Sequence, residues 1–561
     1  MIPLWYLLFL AEWFARLQAQ APIVVHALDR SQVTLELPAH PGELLVLQGS
    51  ALPADMQLLL DGGPVASTWM DDGDTQFLLP PDIGGSFVEL VRQTNAGFSP
   101  AISVPVAAPF DSVQLAAPDV QSLVNGAALA VNAAGLAVVV VDRAGRPLAV
   151  FRRASASDAD VEKALSLART GAFFSSTQTP LSSRTVRAIS RPNFPEGIPN
   201  QPSGALFGIE VTNRGCNYNT TFLPGQAMAQ LSGVTGTGYG RGIATVPGGV
   251  PLFRNGVTVV GGIGVAGAGS DDADEYAAVA AAQSAGFFVK LPLPDPGAVY
   301  LNGFKLPFVD GAAPAGVQAS SAINGTLQLG PLNGMPAPEG WLVGPNGSAT
   351  MSVDEVRGAV QQAIDTANRT RAQIRLPVGT RSRMVISVAD LNGNILALYR
   401  MADSPIFSID VALTKARNVV YFSSASRDSR DLPGVPLGTA VTNRTIGFGS
   451  QPYFPSGIWN STPGPFADLY AADIANPCTQ GHQAANPNQS GIVFFPGSAP
   501  LYRNGQLVGG LGVSGDGVEQ DDYVTSGGAA SWLAPAAIRA DQIFLRNVRL
   551  PYWSFPRNPE Q

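Results

Sequence analysis

The sequence predicts an α+β protein: two tandem domains of antiparallel sheet plus helices, packed on each other as a pseudo-dimer, behind an N-terminal β-sandwich. Three observations carry this. A long pattern of residues recurs once, at an offset of 248 positions. Glycine and proline, 61 and 46 of 561 residues, far exceed the roughly 12% of average usage, which favours turns and strands over long helices. Apolar residues are 45% and charged residues 14%, so a large core is available and a disordered chain is excluded.

At roughly 150 residues per domain the length predicts three or four domains. A net charge of −8 without a Lys/Arg run leaves no electrostatic footprint for nucleic acid. Three His and two Cys exclude a zinc cluster or an iron–sulfur site within one chain. Residues 1–21 read as a signal peptide: the apolar run Ile2 to Ala11 is followed by Ala19-Gln20-Ala21, although no Lys or Arg precedes the run. No later stretch reaches the roughly 18 apolar residues that span a bilayer. The expected product is secreted or periplasmic, where two cysteines can bond.

Residues 22–107 hold short apolar runs separated by turn residues: VVHALD, QVTLELP, ELLVLQG, MQLLLDGG, TQFLLP and SFVELVRQ. That spacing suggests a β-sandwich, and the pattern resembles the IPT/TIG type of immunoglobulin-like domain. His26 and His40 lie here as strand or surface residues.

Residues 116–310 and 351–553 are the two copies, and 311–350, rich in Gly, Pro, Ala, Ser and Asn, read as the linker. Each copy opens with a helix; Val353 to Ile364 has apolar residues at helical spacing. A hairpin follows, turned at Ala144-Gly145 in the first copy and at Asn392-Gly393-Asn394 in the second. A second helix carries Ala164 to Phe173, or Ala412 to Tyr421. Ser182-Ser183-Arg184-Thr185 begins a long Pro/Gly-rich loop whose counterpart, after an insertion of 12 residues in the second copy, starts at Thr442-Asn443-Arg444-Thr445. A second hairpin turns at Asn255-Gly256 or Asn504-Gly505, and a closing helix ends each copy.

The order of these pieces resembles the GlcG/HbpS family of haem-binding proteins. The marks are the V-x-D-x-x-G-x-x-L-A hairpin, the A-x-x-K-A-R helix, the P-L-x-x-x-G strand, the G-G-x-G-V-S-G turn and the E-Q-D-D start of the last helix. The second copy keeps them in Asp390, Lys415, Gly510 to Gly515 and Glu519 to Asp522. The first copy departs: Leu167 stands where the family has lysine. The resemblance implies domains usually built into oligomers, with haem or a related tetrapyrrole as cofactor, so a fused pair supplies its own partner.

Several groups could carry that chemistry. Arg400, Lys415 and Arg444, with Arg152 and Arg184 in the first copy, could pair with propionates or an acidic substrate, or form a solvated ion-paired face. Thr445 fits a pocket rim or a turn. Gly264 and Gly267, like Gly512 and Gly515, belong to G-x-G-x-x-G strings. The Rossmann context is missing, which leaves close helix–sheet packing or a propionate-binding helix start. The acidic residues opening the closing helices favour the helix dipole, or bind a metal or do acid–base work. His482 is the sole histidine of the repeats and the candidate metal ligand; otherwise a weaker ligand such as Cys216, Tyr218, Met228 or Tyr239 must serve. Its neighbourhood lacks a nucleophile motif, so no catalytic residue is assigned. Cys216 and Cys478 occupy matching places in the copies and either bond across a pseudo-two-fold axis, or face each other near it, or stay separate buried thiols. Three functions compete: binding of haem or a tetrapyrrole for storage or sensing, a structural or interaction module, and an enzyme acting on a small carboxylate.

Overall fold

The computed structural model describes residues 22–106 except 27–38, 40–43, 50–51, 54, 70–72 and 81–86, and residues 114–560 except 178, 214–215, 217–241, 257, 290–298, 331–336, 338 and 376–379. The signal segment, the QVTLELP run, His40, Tyr218, Met228 and Tyr239 fall outside it. The chain divides into two compact units, residues 1–110 and 111–561.

The first unit holds two antiparallel sheets. One runs Ile23–His26, Leu44–Gln48, Thr75–Leu78, Ser67–Trp69; the other runs Gly63–Val65, Gln57–Leu60, Phe87–Thr94, Gly97–Phe98, with Ile102–Pro105 also paired to Phe87–Thr94. Alternation explains the arrangement. In Gln57–Leu60 the leucines at 58 and 60 are buried while Gln57 is exposed, and a pleated strand sends alternate side chains to opposite faces. Leu45, Leu47 and Phe77 of one sheet join Leu58, Leu60, Val88 and Leu90 of the other in one apolar cluster.

The second unit contains both copies. In the first, the opening helix Ala117–Ala130 precedes the hairpin Ala137–Asp142 and Pro147–Arg152, the central helix Asp158–Phe174 and a short helix Ser183–Ser190. The second hairpin, Gly249–Arg254 and Thr258–Ala266, leads to the closing helix Asp271–Ser284. The second copy repeats this as Val353–Arg369, Val385–Ala389 with Ile395–Arg400, Ser408–Phe422, Asn443–Ser450, Ser498–Arg503 with Gln506–Ser514, and Val518–Gly528; among the described residues it also has a helix at Ala467–Ala475. Both second hairpins turn through two left-handed residues, Asn255-Gly256 and Asn504-Gly505, the pattern that Asn-Gly favours in a two-residue turn.

Each sheet is covered on both faces, which is why its strands read as unbroken apolar runs. Ala137, Val139 and Val141 point into a cluster with the central helix, while Val138 and Val140 point into another with the opening and closing helices. The former cluster continues into the second copy through Phe407, Ile409, Val411 and Leu413. Phe174 stacks on Phe407 with ring centroids 4.1 Å apart. The Cys216 and Cys478 sulfurs are bonded, joining the copies across 262 positions.

Two sequence expectations need correction. The 311–350 segment is more than a linker: Thr326–Leu329 pairs with Pro147–Arg152, and Gly340–Val343 pairs with Ile395–Arg400, so it adds a fifth, edge strand to each sheet. The supposed loop starts at Ser182 and Thr442 are helix starts. Their hydroxyls accept the backbone N–H of Thr185 and Thr445 and so cap the short helices.

Candidate functional site

The central helix of the second copy is buried along its whole length, Ser408 to Phe422. A helix buried all round must find a partner for every polar group it carries. Lys415, fully buried, donates to the Val513 carbonyl at 2.8 Å and pairs with Asp521 at 3.0 Å, its ammonium 4.9 Å from the Phe495 ring centre. Burial pushes the Asp521 carboxyl up to about 7, with the Lys415 ammonium acting against it. Asn418 donates to Gln480 and to the Gly491 carbonyl. Arg417 holds the hairpin turn through the Gly393 carbonyl at 2.9 Å, as Arg169 holds Gly145 at 2.9 Å in the first copy.

The first copy has not lost the cation. Lys163, one helical turn before Leu167, reaches Asp271 at 2.8 Å and Asp274 at 3.3 Å. Asp274 matches Asp521 in the closing helix, and residues four apart share a helix face, so the charge pair survives at a displaced position. Burial raises the Asp274 carboxyl to about 6. The second pair is also kept: Arg184 binds Glu275 and Asp272, and Arg444 binds Asp522. Hydrogen bonding to Glu275 holds the Arg184 guanidinium above its ordinary range, while burial raises the carboxyls of Glu275 and Asp522. The acids that open the closing helices therefore lock those helices to the rest of each copy.

The other expected ligand groups also have structural partners. Arg400 is fully buried against the Ser404 carbonyl, and Glu339 of the edge-strand segment lies 3.8 Å away. Arg152 makes a surface pair with Asp158 at 2.7 Å. Thr445, buried, donates to the Pro551 carbonyl. The G-x-G-x-x-G strings do not cradle a ligand. Gly264 and Gly512 lie inside strands, where an added Cβ would press into the carbonyl oxygens of Ala164 and Ala412 on the central helices. Gly267 and Gly515 lie as tightly against the backbone at Gly135 and Arg383. Gly264 and Gly512 are spacers that let helix and sheet approach, while Gly267 and Gly515 let the chain pass close to the segments that enter the first hairpins. Gly512→Ala is expected to lower stability by about 3 kcal/mol through overpacking, measurable in a urea titration.

His482 is not in a metal cluster. Its Nδ1 lies 2.7 Å from Asp431 Oδ1, and its backbone N–H donates to the same oxygen at 2.9 Å. Among the described residues no group of three His, Cys, Asp or Glu side chains could hold a metal ion, and no helix is long and apolar enough to cross a membrane.

Two cavities stand out among the described residues. One, of about 410 Å³, lies between the copies. Phe194 and Phe207 line it from the first copy, Phe448, Phe494 and Phe495 from the second. Arg444 and Arg549 stand in its wall with Glu519, and no His, Met, Cys or Tyr is among the described lining residues. Of the expected ligand groups it gathers Arg444 alone; Arg549 and the phenylalanines carried no signal in the sequence, because only the folding of distant loops brings them together. The other cavity, of about 540 Å³, belongs to the second copy alone, between its central helix, hairpin turns and 423–438 segment.

A family model described as "Haem degrading protein HbpS-like" matches residues 115–283 and again 357–530. Among curated proteins, an uncharacterized 15.0 kDa protein in the dhaT-dhaS intergenic region of Citrobacter freundii is 29% identical over 149 residues, 27% of this chain and 71% of that protein. The corrinoid adenosyltransferase PduO of the same organism is 29% identical over 152 residues, 27% of this chain and 33% of that protein, so the chain spans about a third of it. Among solved structures, a PduOC:heme complex is 20% identical, with 33% of this chain and 95% of that one covered at a TM-score of 0.21. For HbpS the figures are 23%, 31%, 90% and 0.18. The two matched segments make up more than half of the sequence, and the chain belongs to the HbpS-like family, with its domain present twice.

Proposed function

We propose that this chain binds haem or a related tetrapyrrole in the cavity between its two copies. One observation carries the reading: in a chain of the HbpS-like family, a cavity of about 410 Å³ is lined by five phenylalanines and flanked by Arg444 and Arg549. Aromatic faces suit a flat macrocycle, and a guanidinium suits its carboxylates; Arg549 supplies it, since Arg444 is paired with Asp522. The residues present fit the ring and its propionates. Among the described lining residues none would offer iron an imidazole, thiolate, thioether or phenol.

The two copies act in this reading as an internal pseudo-dimer, each contributing one wall; fusion keeps the walls together at high effective concentration. Residues 22–107 are read as an immunoglobulin-like domain, an assignment supported by the shared core of their two sheets. Export to the periplasm or beyond is supported by the Cys216–Cys478 bond, since such bonds persist in oxidising compartments. Assembly into larger oligomers is part of the same proposal.

Titration with hemin tests the reading. A shifted Soret band saturating at micromolar haem is expected, without the signature of imidazole ligation. Arg549→Ala, a change at an exposed residue, is expected to weaken binding about tenfold, the low end of what one charge-assisted contact is worth. No spectral change at micromolar haem overturns the proposal.

A further inference from the structure

The second copy carries an insertion that the first lacks: Arg444 lies 20 positions after Ser424, where Arg184 lies 8 after Ser176. Ala425, Ser426 and Gly438 of this insertion form part of the wall of the 540 Å³ cavity. The insertion is firmly tied. Asp431 accepts hydrogen bonds from the Tyr421 hydroxyl at 2.5 Å and from the His482 backbone at 2.9 Å, with His482 Nδ1 also on it. Arg427 donates to the Val435 carbonyl within the insertion, and Ala440 pairs with the 538–540 segment. His482 thus clasps the insertion to the 478–492 segment, which supplies the facing wall.

The lining has a definite chemistry. Six amide residues line the cavity: Asn392, Gln480, Gln483, Asn486, Asn488 and Gln506; Gln480, Gln483, Asn486 and Asn488 also hydrogen-bond within the protein, which fixes their orientation. Hydroxyls of Ser424 and Ser426 join them, over an apolar floor at Val420 and Leu507. No carboxylate is among the described lining residues, and the guanidinium of Arg417 is engaged with the Gly393 carbonyl. An amide offers a donor and an acceptor side by side, and so does each hydroxyl of a polyol; a carboxylate ligand needs donors alone and an amine needs acceptors alone. The volume lies within the roughly 300–1,000 Å³ of small-molecule sites.

We infer that this cavity is a binding site for a neutral polyhydroxylated molecule of the size of a mono- or disaccharide, gained by the second copy through the insertion. It is separate from the site between the copies and does not depend on it.

The full chain is tested by saturation-transfer NMR with glucose, galactose, mannose, N-acetylglucosamine and maltose, and with glucuronate and glucosamine as charged counterparts. Transfer to at least one neutral sugar, stronger than to either charged one, is expected. Ser426→Trp, which fills the cavity from a partly open wall, is expected to abolish it. Gln506→Ala, at an exposed residue, is expected to weaken binding about fivefold, as for the loss of one neutral hydrogen bond. Circular dichroism and hemin titration on both variants show whether fold and inter-copy site are intact. Absence of transfer from all the neutral sugars, preference for a charged one, or signals unchanged by Ser426→Trp in a folded protein each overturns the inference, whatever the outcome with haem.

Discussion

Lys415→Met is expected to destabilise the protein by about 3–5 kcal/mol at pH 8, the cost of leaving one member of a buried ion pair without its partner. The ammonium and the Asp521 carboxylate are both within the core, 3.0 Å apart, and the lysine also satisfies the Val513 carbonyl. The loss must depend on pH. Burial already pushes Asp521 up to about 7, against the opposing pull of Lys415. A carboxyl that holds its proton more tightly folded than unfolded stabilises the fold below about pH 4, and loses that contribution as the pH rises toward 7. Without the lysine the folded value climbs further. The variant's deficit is therefore larger at pH 8 than at pH 5, where Asp521 is protonated and no bare charge remains. Lys415→Met combined with Asp521→Leu is expected to recover most of the loss. Urea midpoints at the two pH values measure all of this. A deficit under 1 kcal/mol at pH 8, or one that grows toward pH 5, contradicts the role given to the pair.

Removing the Cys216–Cys478 bond is the second large effect. It joins positions 262 residues apart, and a cross-link restrains the unfolded chain more the longer the loop it closes; on the chain-entropy view about 5.5 kcal/mol is at stake. The Cys216→Ser/Cys478→Ser variant is expected to unfold at lower urea than the wild type and to ignore reductant, while reductant lowers the wild-type midpoint to the variant's. The fold itself should survive. The copies also share the Phe174–Phe407 stack, the Thr177 N–H bond to Asp403 at 2.8 Å and the Asn213 bond to the Ser490 carbonyl. A midpoint unmoved by both treatments means that this packing alone sets the stability of the pair.

The family and the doubling were legible in the residues, because recurrence at a fixed offset survives in the chain whatever the copies have become. The two hairpins were legible too: Asn-Gly takes the left-handed pair of conformations that few other residues accept. Partner and place were harder to read. Lys415 and Arg400 carry the charge a ligand would want, yet both are core residues, and a cation in a buried helix looks the same in sequence as one at a pocket wall. Leu167 suggested a lost lysine; the replacement at Lys163 is visible only once the helix brings positions one turn apart to the same face. The edge strands at Thr326–Leu329 and Gly340–Val343 were hidden in a stretch whose composition says linker, since an edge strand needs backbone hydrogen bonds more than apolar side chains.

Local sequence determined the hairpin strands, their turns and the main helices, all of which depend on neighbours within a few residues or on a strict spacing. Which charges would be buried together, which phenylalanines would meet between the copies and where the second copy's insertion would leave a cavity were decided by the tertiary structure. Those are properties of residues far apart in the chain, 106 positions for Lys415 and Asp521 and 277 for Asn213 and Ser490, and nothing in the local order records the distance between them until each copy folds and the two pack.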